Sequence, residues 1–75
     1  MNKTRRQEIS NVATRIGMVK DTLQDILNDE QDYFDNMPEN LQGSTRGMDS
    51  EEAIDVMEQV IEALEEAIEN LDMIQ

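Results

Sequence analysis

The sequence has 75 residues, neither cysteine nor histidine, and a formal net charge of −12. That length allows one domain. The missing residue types exclude disulfide frameworks, thiol nucleophiles, imidazole bases and ordinary zinc sites, and the acidic balance argues against direct nucleic-acid binding, because phosphates are repelled.

The charge is unevenly placed. Residues 1–20 carry five bases and one acid, whereas residues 21–75 carry one base, Arg46, and seventeen acids. Such an acidic surface is either simply solvated or recognised by a basic partner. No apolar run is long enough to cross a bilayer. The opening MNKTRRQEIS has bases but no apolar stretch behind them, so it does not read as a signal peptide. The default expectation is a cytoplasmic protein without membrane contact.

Taken in order, the first element is a long helix. Ile9, Val12, Ile16, Val19, Leu23 and Ile26 recur by alternate threes and fours, with Ala13 and Leu27 widening the stripe. Glu30 interrupts the pattern, and Tyr33 and Met37 resume it. One helix over about residues 4–36 fits, roughly 50 Å long at 1.5 Å per residue. Gly17 inside it costs about 1 kcal/mol relative to alanine and reads as a tolerated weak spot or a place of close helix approach. Pro38 disfavours helical geometry in Met37 before it, so the helix is expected to stop there. Pro38 then opens a single short turn that Gly43 ends.

The second long helix is expected over about residues 49–74. Asp49 as N-cap places Glu52 at capping-box spacing, with Met48 and Ala53 at staple positions. An earlier cap at Ser44 would put Gly47 inside the first turn. Ile54, Ile61 and Ile68 recur every seven residues, as do Met57, Leu64 and Leu71, flanked by Ala53, Val60, Ala67 and Ile74. Three apolar positions per heptad suit a bundle better than a two-stranded seam. Between them stand many acids and no base, among them Glu58, Glu62, Glu65 and Glu69. The fold class is therefore all-α: a single antiparallel helical hairpin domain over residues 1–75, completed as a homo-oligomeric bundle, with a dimer favoured. So short a chain rarely buries enough core alone. Folding back sets Arg5, Arg6 and Arg15 near Glu62, Glu65, Glu66, Glu69 and Asp72, and helix 1 overhangs by about two turns.

Chemistry is sparse. Ser10, Ser44 and Ser50 have no histidine to activate them, and Lys3 and Lys20 sit in solvated, charged surroundings, so no catalytic residue, cofactor or metal ligand is assigned. The acids of residues 29–36 lack the glycine and the spacing of a calcium loop. The distinctive stretch is the hairpin end, where Tyr33, Phe34, Met37 and Leu41 supply apolar surface around Asn36, Pro38 and Asn40. Asn36, Asn40 and Gln42 add donors and acceptors there, and the stretch reads either as a plug closing the hairpin or as a binding tip.

The run YFDNMPENLQGSTRG followed by EEAIDVMEQVIEALEEAIENL resembles a group of small acidic proteins carried by bacteriophages and prophages. They share a basic first helix, a DNMPENLQ-type turn and an EEAI-rich second helix. The resemblance covers most of the chain, and its specific part is the turn. It implies a bacterial cytoplasm and supplies no catalytic residues. By analogy with small acidic phage proteins, the expected function is a protein-binding module that inhibits a host or defence protein with a basic surface, with nucleic-acid mimicry as one route. The alternative is a structural or accessory homo-oligomer. The expected partner-binding residues are Tyr33, Phe34, Asn36, Met37, Pro38, Asn40, Leu41, Arg46, Glu58, Glu62, Glu65 and Glu69.

Overall fold

A computed structural model describes residues 1–74. The chain forms α1 (Lys3–Asp35), α2 (Glu39–Gln42) and α3 (Thr45–Asp72). The two long helices pack antiparallel into a rod of 58 × 15 × 12 Å. The fold is thus the all-α hairpin that the two periodic segments predict.

Helix α1 starts where Asn2 Oδ1 accepts the backbone N–H of Arg5 at 2.8 Å, satisfying one of the donors that a helix start leaves free. It ends at Asn36, whose side-chain Nδ2 and backbone N–H both donate to the Asp32 carbonyl. Pro38 then caps α2 with extended backbone, φ −55° and ψ 144°, and Gly43 closes that single turn.

Helix α3 begins one turn earlier than Asp49 would place it. Ser44 is the N-cap, accepting from the Gly47 N–H at 3.4 Å and donating to the Leu41 carbonyl. Residues 45–48 are therefore helical, and Met48 is exposed rather than stapled. The reason lies in Gly47. A side chain there would collide with the carbonyl groups of Gln42 and Leu41. Glycine lets the first turn of α3 press directly onto the α2 backbone, and this outweighs its poor helix propensity.

The inward rows also differ from the widest stripe. The most buried positions of α1 are Ala13 and Leu27, not Val12, Val19 and Ile26, which are exposed. In α3, Ile54 and Ile61 are buried, Met57, Leu64 and Leu71 are half-buried, and Val60 is exposed. A two-helix seam has room for about two positions per heptad on each side. The third apolar row of each helix is left outside.

Glu30, the apparent interruption, faces the seam. Its Oε2 accepts from the Ser50 Oγ at 2.7 Å, and Ser50 is only 4% exposed. The two polar residues occupy matching seam positions near the tip and satisfy each other, as buried polar groups must. A pair of this kind also fixes which turn of α1 meets which turn of α3.

Candidate functional site

The hairpin has two unlike long sides and a compact tip. One side is apolar. Met18, Val19, Leu23 and Ile26 of α1 face Val60 and Leu64 of α3 across an open groove. It runs toward the N-terminus of α1 past Val12, Arg15 and Ile16. Toward the tip, Ala53, Val56 and Met57 form a further apolar patch edged by Asp49 and Glu52. These are the third rows that the seam leaves uncovered.

The other side is acidic. Glu58, Glu62 and Glu65 edge a shallow depression with Gln24, Leu27 and Ile61. Glu65 and Glu69 continue it beside Lys20 and Ile68. All four glutamates predicted as partner-binding therefore share one flank. Their spacing of four, three and four residues keeps them on one stripe, here the stripe opposite the apolar groove. Among the described residues there is one ion pair, Lys20 Nζ to Glu65 Oε1 at 3.8 Å.

That single pair corrects the expected electrostatics. Arg5, Arg6 and Arg15 do not pair with the acids of α3. Residues 1–8 are exposed at every position, and Ile9 is the first to be half-covered. Arg5 and Arg6 therefore lie on the overhanging turns, and the Arg6 guanidinium donates instead to the Met1 carbonyl at 2.7 Å. Arg15 sits on the apolar side, at the edge of the groove. Lys20, not an arginine, is the base that meets an acid of α3. It lies on the inward row between Ala13 and Leu27, where its stem covers apolar surface and its ammonium reaches out to Glu65.

The tip is closed from within. Met37 is 8% exposed and Phe34 is half-buried, so these two plug the end. Gln42, which stands outside the expected partner-binding set, holds the tip together. Its Nε2 donates to the carbonyls of Phe34 and Met37, both at 3.2 Å, tying α2 to the last turn of α1. The sequence marks this glutamine as a donor near the turn but cannot name its partners, since these are backbone atoms. Asn36 is spent on the α1 cap. Tyr33, Pro38, Asn40, Leu41 and Arg46 remain on the outside. Tyr33 stands on the same row as Val12, Val19 and Ile26, so it extends the apolar side rather than the plug.

Among the described residues, no three acids converge closely enough to hold a cation, and no helix is long and apolar enough to cross a membrane. Compared with known protein families, characterised proteins and solved structures, the chain matches none of them.

Proposed function

We propose that the protein is a small protein-binding module of phage type that engages a basic surface on a host or defence protein through the acidic flank of α3. The observation that carries this reading is the gathering of Glu58, Glu62, Glu65 and Glu69 on one exposed stripe with a single lysine against them. A plain hairpin needs its acids only to be outside. It does not need them in line.

Charge density supports inhibition by nucleic-acid mimicry. Ten acids lie between Asp49 and Asp72, with no base among them. At 1.5 Å per residue that stretch spans roughly 36 Å. The result is one negative charge per about 3.6 Å, against about 3.4 Å for one strand of duplex DNA. A basic groove built for a phosphate backbone meets a similar field here. Such complementarity mainly speeds encounter and selects the partner.

The test is capture of basic host proteins by the protein and by a variant with all four glutamates changed to glutamine, with duplex DNA as competitor. Glutamine keeps the helix propensity. The expected result is a partner displaced by DNA and lost in the variant. Equal capture by both proteins, indifferent to DNA, overturns the reading.

The exposed apolar side favours a second reading, in which the hairpin is an accessory building block that self-associates into a homo-oligomeric bundle, in the simplest case a dimer. The two readings use opposite sides of the molecule and are compatible.

A further inference from the structure

The apolar side has an internal symmetry that its exposure alone does not reveal. Val12, Val19, Ile26 and Tyr33 are spaced by seven and are 45%, 58%, 52% and 49% exposed. They form one row on α1, which drifts by only about 20° per heptad. Seven residues before Val12 the row continues with Arg5. A cation thus stands at one end of the row and an aromatic ring at the other, with Val19 midway. Asp29 and Asp32 accompany Tyr33 within a turn.

The surrounding charges follow the same polarity. Residues 1–15 hold four bases and one acid, whereas residues 29–52 hold eight acids and one base. Ion pairing within the chain does not use this asymmetry, because the bases of the overhanging turns have no acid of α3 beside them.

We infer that the apolar side is covered by a second copy of this chain lying antiparallel, so that Val19 meets its own counterpart, Val12 meets Ile26, and Arg5 meets Tyr33 and the acids of the partner's tip. This rests on the self-association reading and gives it a geometry. A two-fold interface must be self-complementary, with residue i meeting j wherever j meets i, and this row satisfies that about Val19. The guanidinium of Arg5 finds an aromatic face and carboxylates together. The overhanging turns, which α3 does not reach, lie over the other copy's tip. A parallel pair would set acidic tip against acidic tip and basic start against basic start, so charge decides the direction. The acidic flank stays on the outside of the assembly, free for a basic partner.

Sedimentation equilibrium and engineered cysteines test this, in a chain with no native thiol. The full chain is expected to sediment as a dimer at micromolar concentration. Oxidising V12C chains mixed with I26C chains should give a mixed disulfide, while each variant alone gives none. In an antiparallel pair two copies of residue 12 lie about 21 Å apart along the axis, beyond the roughly 7 Å Cα separation that a disulfide spans. Circular dichroism confirms that the cysteine variants are folded. Val19→Glu with Ile26→Glu should give a helical monomer that retains the acidic flank. A monomer at all concentrations overturns self-association together with its geometry. A dimer in which V12C and I26C each cross-link to themselves overturns the antiparallel arrangement alone, and a dimer that survives the double glutamate variant overturns the use of this row.

Discussion

The shaft and the tip of the hairpin are held in different ways. Along the shaft, repeated apolar residues meet across a seam, and no single one sets the arrangement. Ala13 and Leu27 of α1 and Ile54 and Ile61 of α3 are buried there, through contacts that many side chains could supply. At the tip, single atoms decide. The Gly47 Cα passes the Gln42 carbonyl, the Gln42 amide holds two carbonyls of α1, the Ser44 hydroxyl caps α3, and Ser50 meets Glu30. A repeat supplies most of the burial but leaves the register free to slip by a turn. The tip supplies little burial and fixes where the repeat starts. The hydrophobic drive and the choice of register are therefore separable in this molecule.

Substitutions can break or sharpen that contrast. The largest effect is expected in the shaft. Ile61→Ala removes a buried side chain from the middle of the seam and should cost about 3 kcal/mol, within the range of about 2–5 kcal/mol for such truncations. Urea denaturation at a protein concentration low enough to keep the chain monomeric would measure it. The exposed neighbour Val60, truncated in the same way, should cost under about 1 kcal/mol. Equal losses at the two positions would mean that the seam has been assigned to the wrong rows.

Next comes the tip. Ser50→Ala leaves the Glu30 carboxylate without its donor in a part-buried place. The expected loss is about 1.5–3 kcal/mol, the usual range for hydrogen bonds to charged groups. The double variant Glu30→Leu with Ser50→Ala should recover most of that loss, because replacing both partners by apolar groups is often nearly neutral. If the pair fixes register, the double variant should also show slower or more heterogeneous helix pairing, read from exchange-broadened NMR amide signals. Sharp signals with full recovery would show that the pair is only a satisfied polar contact.

These residues also show how far the sequence was legible. The recurrence of Ile9, Val12, Ile16, Val19, Leu23 and Ile26 marks α1 and that of Ile54, Ile61 and Ile68 marks α3, because a periodic apolar pattern has few other ways to be buried; Pro38 marks the stop between them, and the short connection marks their antiparallel order. The recurrence did not say which two of three apolar rows face inward. Ala13 and Lys20 are weak markers of a seam, and Val12 and Val19 outweigh them on any hydropathy count. The start of α3 differs from the expected one for a related reason. Propensity argues against Gly47 in a first turn, and only the tertiary closeness of α2 overturns it. Gln42 and Ser50 act through partners that are distant in sequence or belong to the backbone. By contrast the line of Glu58, Glu62, Glu65 and Glu69 was visible, since one helix contains them all. What the sequence withheld was that this line lies on the side away from the apolar groove.

The smallest effects make the sharpest contrast, because the same change at two glycines should act with opposite sign. Both Gly17 and Gly47 are helical, so alanine gains about 1 kcal/mol of propensity at either. At Gly47 the added methyl meets the carbonyls of Leu41 and Gln42, which are backbone and cannot swing aside. Overpacking of this kind costs about 1–3 kcal/mol. Gly47→Ala should therefore be destabilising by up to about 2 kcal/mol after the propensity gain, with α2 loosened from α3. At Gly17 the nearest atom to the added methyl is Ile68 Cδ1 at 4.0 Å. That is ordinary van der Waals contact with the movable end of a side chain. Gly17→Ala should stabilise the chain by about 0.5–1 kcal/mol and raise the thermal midpoint by a few degrees. Thermal melts of both variants at one concentration would decide. A destabilised Gly17→Ala would mean that the helices approach more closely at this turn than the shaft geometry indicates. A stabilised Gly47→Ala would mean that the first turn of α3 does not press on α2, and the tip would then lose its role in setting the register.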